Sequence, residues 1–164
     1  SEQPQSSLKR EPLQLAEELK TIQEFYEAAA DDAGVKLSVT SPLNLEFTAD
    51  RTLFQRAIGN LITNALANTP QNGFVTIRGD AEGTDVTVIV ADTGVGISAE
   101  QLPRVFDRLY RGNHGSPKTN GHGLGLSIVK TIVEMHGGNA TIRSEPDHGT
   151  IIETLWPAKA SDRP

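Results

Sequence analysis

The stretch from Asp50 to Pro70 constrains the fold more than any other part of this chain. Leu53, Phe54, Ala57, Ile58, Leu61, Ile62, Ala65 and Leu66 recur three and four residues apart, which lays them along one face of a helix. Asp50 is suited to cap that helix, because its short carboxylate can accept from a first-turn amide, and Pro70 stops it. A helix with one wide apolar face must bury it against other elements.

Two more helices and several strands are available to do so. Leu15, Leu19, Ile22, Tyr26 and Ala29 share helical spacing behind Pro12, which suits a first turn, and Gly34 suits the end. Leu124 to His136 carries Ile128, Val129, Ile132 and Val133 inward, with Gly137 and Gly138 ending it and His136 placed to cap its last turn. Residues 35–39 and 43–47 alternate as strands do. So do 74–78 and 85–91 on either side of a Glu82-Gly83-Thr84 turn, and 139–144 and 150–156 close the chain. A short helical piece is expected near 99–110 in an otherwise loop-rich stretch. Hairpins outnumber strand–helix alternations, so the class is α+β, an α/β sandwich with helices on one face of an antiparallel or mixed sheet.

A chain of 164 residues suffices for one such domain. Residues 1–11 are polar and expected to be a flexible segment, 12–157 the folded domain and 158–164 a flexible tail. Opening on Ser rather than Met, the chain reads as a fragment of a longer protein. With no cysteine, disulfide scaffolds and thiolate metal sites are excluded. No apolar run approaches the roughly 18 residues of a membrane span, so no membrane contact by this segment is expected.

A net charge of −6 argues against nucleic acid as a partner, yet Arg104, Arg108, Arg111, Lys118 and Lys130 fall together with Asp107 as the lone acid between 101 and 130. That local surplus suits a small anion. A solvated basic face is the bland alternative.

Three constellations carry chemistry. Asn60 and Asn64 lie four apart on one side of the central helix, beside its apolar stripe. Their neutral oxygens suit Mg²⁺ when phosphates bring the charge, though two polar residues at a helix margin need no function. Asp92 follows the strand 85–91 directly, and its carboxylate can accept from an exocyclic amine such as that of adenine. Gly94 and Gly96 leave room for a flat ring beside Ile97, or simply form a tight turn. Gly121-His122-Gly123-Leu124-Gly125-Leu126 runs straight into a helix, where glycine amides and the helix N-terminus make a phosphate site. Its G-x-G-x-G spacing, after a loop, is not the dinucleotide fingerprint, which needs G-x-G-x-x-G after a strand. No Gly-Lys-Ser/Thr of a Walker loop is present. His114, His122, His136 and His148 show no paired spacing for a metal.

The order Asn-x-x-x-Asn-Ala, Asp-x-Gly-x-Gly-Ile, Phe106-x-x-x-Tyr110-Arg111 and Gly-x-Gly-Leu-Gly-Leu resembles the N, G1, F and G2 boxes of the sensor histidine kinase ATP-binding domain. Gyrase B, Hsp90 and MutL share its wider family. The resemblance runs from about Leu13 to Pro157. Glu24-Phe25-Tyr26-Glu27, residues 56–61, residues 102–108 and His136-Gly137-Gly138 are further similar to the heavy-metal-responsive subgroup.

The resemblance implies a Bergerat-type mixed sheet with three helices on one face and a mobile ATP lid. It implies that Asn64, helped by Asn60, holds Mg²⁺ on ATP, and that Asp92 reads the adenine amine in a pocket shaped by Gly94, Gly96 and Ile97 and backed by Thr150. Gly121, His122, Gly123, Leu124, Gly125 and Leu126 would cradle phosphates, with Phe106, Arg108, Tyr110 and Arg111 near them.

The implied activity is transfer of the γ-phosphoryl group to a histidine on a dimerisation domain, then to a response regulator. The His-Glu/Asp-x-x-Thr/Asn-Pro acceptor helix does not occur in these residues. The implied parent is a homodimeric inner-membrane sensor with this domain on its cytoplasmic side. Hydrolases of the wider family resemble one another in a Glu four residues before the magnesium Asn. Here that position is Asn60, which cannot serve as a general base, so transfer is favoured over an ATP-hydrolysing clamp. Ala67 and Asn68 depart from the kinases' usual Lys/Arg and Tyr/His, which keeps a nucleotide-binding regulatory module without transfer as an alternative.

Overall fold

The structure is a computed structural model that describes residues 7–107 and 125–158. Among these residues three helices, α1 (Leu15–Ala33), α2 (Arg51–Asn68) and α3 (Gly125–Met135), pack on a five-stranded sheet of order β2-β4-β5-β7-β6. The strands are β2 (Lys36–Thr40), β4 (Phe74–Glu82), β5 (Asp85–Asp92), β6 (Ala140–Ser144) and β7 (Thr150–Trp156). Only β2 and β4 run parallel, so the sheet is mixed, as the resemblance implies. A second, two-stranded sheet joins β1 (Arg10–Gln14) to β3 (Glu46–Asp50).

Strand alternation sets which side chains meet the helices. Val75 and Ile77 of β4, Val86, Val88 and Val90 of β5, and Ile152 and Trp156 of β7 share one face and are buried. Against them α2 presents Phe54, Ala57, Ile58, Leu61, Ile62 and Ala65, all essentially buried. Phe47, Phe54, Trp156 and His136 form a run of edge-to-face rings with centroids about 5 Å apart.

The helix ends follow local chemistry. The Asp50 carboxylate accepts from Leu53 N–H (3.0 Å), and Gly34 adopts φ 70° where α1 stops. The Gly83-Thr84 turn has Gly83 at φ 63°, as the first central residue of a two-residue hairpin loop requires.

Four expectations are corrected. Pro12 lies in β1 and not in a helix, with Arg10 and Glu11 in the same strand rather than in a loose segment. A two-stranded ribbon tolerates proline, because the missing N–H can fall on the side without a partner. The strand expected at 43–47 begins instead at Glu46. Leu43 is exposed, and pairing of Gln14 with Glu46 through Arg10 with Asp50 decides the bounds. On α1, Ala30 is buried and Ala29 exposed. The helical piece near 99–110 shortens to a 3-10 turn at Leu102–Arg104 in its described part.

His136 does more than cap α3. Its Nδ1 lies 2.8 Å from the Ile132 carbonyl, and its Nε2 accepts from the Asp50 N–H at 3.1 Å. A backbone N–H can only donate, so Nε2 carries no proton and Nδ1 carries the one that reaches Ile132. The ring is neutral and buried, and burial holds its pKa below the ordinary histidine value, with Arg10 adding to the effect.

Candidate functional site

Three segments converge at one end of the sheet. The first is the edge of α2 bearing Asn60, Asn64 and Asn68, each four residues from the next and each half-buried. At one end of this edge Asn60 Nδ2 lies 3.5 Å from the carbonyl of Gly125, the first residue of α3. At the other end the Asn68 carbonyl accepts from Val95 N–H at 3.1 Å. Asn64 therefore sits between the start of α3 and the loop after β5. The Asn68 side chain donates back to the Asn64 carbonyl at 3.0 Å.

The second segment is residues 92–97. Cross-strand pairing places Asp92 beside Thr150, and Thr150 beside Ser144, so the three form one row over β5, β7 and β6. Alternation puts this row on the helix-covered face. Asp92 Oδ1 accepts from Gly94 N–H at 2.8 Å, and the Thr150 N–H also serves the carboxylate. Burial nevertheless pushes its pKa above the ordinary carboxylate value. A ligand N–H donor in this position would favour the ionised form.

Gly94 and Gly96 have a reason beyond room for a ring. A Cβ on Gly94 would stand 2.3 Å from the Asn68 carbonyl oxygen, and one on Gly96, whose φ is 76°, would stand 1.9 Å from that of Glu145. Both glycines let this loop press against backbone, on α2 and on the β6–β7 turn. Ile97 is half-buried, and its N–H donates to Ser144 Oγ at 2.8 Å.

The third segment is the start of α3. Gly125 opens the helix, while the Leu126 side chain packs on the core, as does Phe106. Arg108, Tyr110, Arg111, Gly121, His122, Gly123 and Leu124 lie outside the described residues. Arg104 is exposed and stands 3.7 Å from Asp107. No group of three His, Cys, Asp or Glu among the described residues could hold a metal. A divalent cation at Asn60 and Asn64 would therefore need charge from its ligand's phosphates, which suits two neutral oxygens. A depression of about 230 Å³ lined by Phe47, Thr84, Trp156 and Pro157 lies apart from these residues.

Sequence reasoning missed Ser144, whose pattern is only that of a strand end. It also missed the reach of His136 to Asp50, since neither residue's neighbours signal a contact 86 positions away.

The family of histidine kinase-, DNA gyrase B- and HSP90-like ATPases matches residues 49–160. The chain belongs to that family, as an ATP-binding catalytic domain of the sensor histidine kinase type. It is 38% identical over 164 residues to the sensor protein IrlS of Burkholderia pseudomallei strain K96243, a match covering 98% of this chain and 34% of IrlS. The chain thus spans about a third of the length of the curated relatives it matches.

The nucleotide-free catalytic domain of the histidine kinase ThkA superposes with a TM-score of 0.82 at 24% identity, covering 95% of this chain and all of that one. ThkA has also been solved in complex with the response regulator TrrA, where the TM-score is 0.78 over 94% of this chain and 43% of that one. Full-length ShkA in complex with AMPPNP gives 0.81 at 25% identity, over 92% of this chain and 31% of ShkA. No described helix is long and apolar enough to cross a membrane.

Proposed function

We propose that this chain binds Mg-ATP between α2, the 92–97 loop and the segment leading into α3, and donates the γ-phosphoryl group to a histidine on a separate dimerisation domain. The observation that carries this reading is the placement of Asn64. It stands between the loop suited to a base and the helix start suited to phosphates.

In this reading Asp92 accepts from the adenine amine, with Gly94, Gly96, Ile97 and Thr150 around the base. Asn64, with Asn60, holds Mg²⁺, whose contribution is to neutralise phosphate charge. The 121–126 amides, with Phe106, Arg108, Tyr110 and Arg111 nearby, hold the phosphates. The protein's own work is then positioning and electrostatics, because a neutral acceptor imidazole needs no further activation. The phosphoryl group passes on to a response regulator, and a complex of that kind is known for ThkA. The parent protein is a homodimeric inner-membrane sensor with this domain on the cytoplasmic side, and the stretches around 24–27 and 56–61 support a metal stimulus.

The test combines this chain with the parent's dimerisation domain, Mg²⁺ and labelled ATP. Label on histidine is expected. Absence of label despite measured ATP binding refutes transfer and favours the second reading, a nucleotide-binding module without transfer. Ala67 is the observation behind that alternative, since no cation stands there to meet a phosphate. An ATP-hydrolysing clamp lacks its base at Asn60, and steady-state hydrolysis by the chain alone would revive it.

A further inference from the structure

We infer that Ser144 is a positioning residue that locks the Thr150 hydroxyl as an acceptor and so tunes the site toward 6-aminopurine nucleotides. The inference rests on the proposed base pocket at Asp92 and assigns it a residue that touches no ligand.

The hydroxyl protons at this corner are fixed by their partners. Ser144 Oγ lies 2.8 Å from the Gly149 carbonyl oxygen, 2.8 Å from Thr150 Oγ1 and 2.8 Å from the Ile97 nitrogen. A carbonyl cannot donate, so the single Ser144 proton goes to Gly149. The Ile97 N–H can only donate and takes one Ser144 lone pair. The Thr150 contact is then settled, because Ser144 has no second proton to give. Thr150 donates its own proton to the remaining lone pair, and every capacity of the serine hydroxyl is used.

The Thr150 oxygen is thereby left with lone pairs alone for anything else. It neighbours Asp92 across β5 and β7, and Asp92 is an acceptor when ionised. This corner of the site consequently offers acceptors side by side. It favours an amine, directly or through a water, and opposes a carbonyl at the same ring position.

Ser144 also joins two loops. The same oxygen ties the 92–97 loop, through Ile97, to the β6–β7 turn, through Gly149. A second tie runs alongside, from Asp147 N–H to the Val95 carbonyl at 2.7 Å. The fold therefore does not depend on Ser144 alone to hold that loop, and removal of its hydroxyl acts chiefly on the Thr150 proton. A freed Thr150 hydroxyl can rotate and donate, which would suit a carbonyl.

The experiment compares affinities of ATP and inosine triphosphate, with Mg²⁺, by calorimetry on the full chain and on Ser144→Ala, Ser144→Thr, Thr150→Val, the Ser144→Ala/Thr150→Val double variant and Asp92→Asn. One neutral hydrogen bond corresponds to roughly a 2- to 10-fold change in affinity. Ser144→Ala is expected to narrow the preference for ATP by about that factor, and Ser144→Thr to restore it. In the Thr150→Val background, Ser144→Ala should leave the preference unchanged, because the hydroxyl it acts through is gone. An unchanged preference in Ser144→Ala, alongside a changed one in Asp92→Asn, overturns the role of Ser144 and leaves the pocket standing. An unchanged preference in Asp92→Asn overturns the pocket itself. An equal effect of Ser144→Ala with and without the Thr150 hydroxyl reduces Ser144 to a loop tie and also overturns the inference. Should Ser144→Ala fail to fold, Thr150→Val retaining the full ATP preference decides against it.

Discussion

Acidification from about pH 7.5 to 5.5 should destabilise the fold through His136. The folded state holds this ring neutral between the Asp50 N–H and the Ile132 carbonyl. A second proton would have to sit on Nε2, facing the Asp50 N–H, and would charge a side chain buried against Trp156. The charged groups that face it are Arg10, which opposes protonation, and Asp50, which favours it. Burial outweighs Asp50, and the folded pKa is lowered. In the unfolded chain the imidazole titrates near its ordinary value of about 6.5.

The unfolded state therefore binds more protons below about pH 6.5, and stability is complete above that value and lost as pH falls beneath it. For one group the loss reaches at most about 1.4 kcal/mol at roughly one unit below 6.5 and grows until the folded pKa is met. Asp92 works the other way, since its folded pKa is raised and protonation relieves a buried charge.

The assay is urea unfolding followed by circular dichroism at intervals over this range, for the wild type and for His136→Phe. Phenylalanine keeps a ring against Trp156 but offers no acceptor to Asp50, and an orphaned buried N–H costs about 1–3 kcal/mol. The variant should be less stable at pH 7.5 and its profile flatter. A wild-type profile no steeper than that of His136→Phe refutes the reasoning, since Asp92 contributes alike to both. If the variant does not fold, the same profile on Asp92→Asn, which lacks the opposing carboxylate, decides.

Three further outcomes are expected. Gly96→Ala should cost at least about 2 kcal/mol and lower the melting temperature by several degrees, because φ 76° disfavours a side chain and its Cβ would meet the Glu145 carbonyl. A melting temperature within error of the wild type would contradict that packing. Asp50→Ala removes the acceptor for both Leu53 and Lys9 N–H, and should cost about 1–2 kcal/mol by denaturant titration. Asn64→Asp should leave the unfolding free energy within about 0.5 kcal/mol while weakening Mg-nucleotide binding tenfold or more by calorimetry. Equal losses in both would mean that Asn64 is structural.

The amino-acid pattern by itself determined the parts whose physics is local. The α2 stripe follows from a 3.6-residue period, its start from a carboxylate three residues before an open amide, and the end of α1 from a glycine able to take positive φ. Asn60, Asn64 and Asp92 were legible for the same reason, being set by position on a helix edge or at a strand end. Tertiary structure alone decided the rest. Pro12 entered a strand because β3 lay beside it, and strand bounds near Leu43 yielded to that pairing. His136 found its acceptor role only once α3 crossed the N-terminus of α2. The row of Asp92, Thr150 and Ser144 exists because three strands share one register, and a shift of one residue would turn each of them to the other face. Local sequence encodes which face a residue takes, but not which neighbour meets it there.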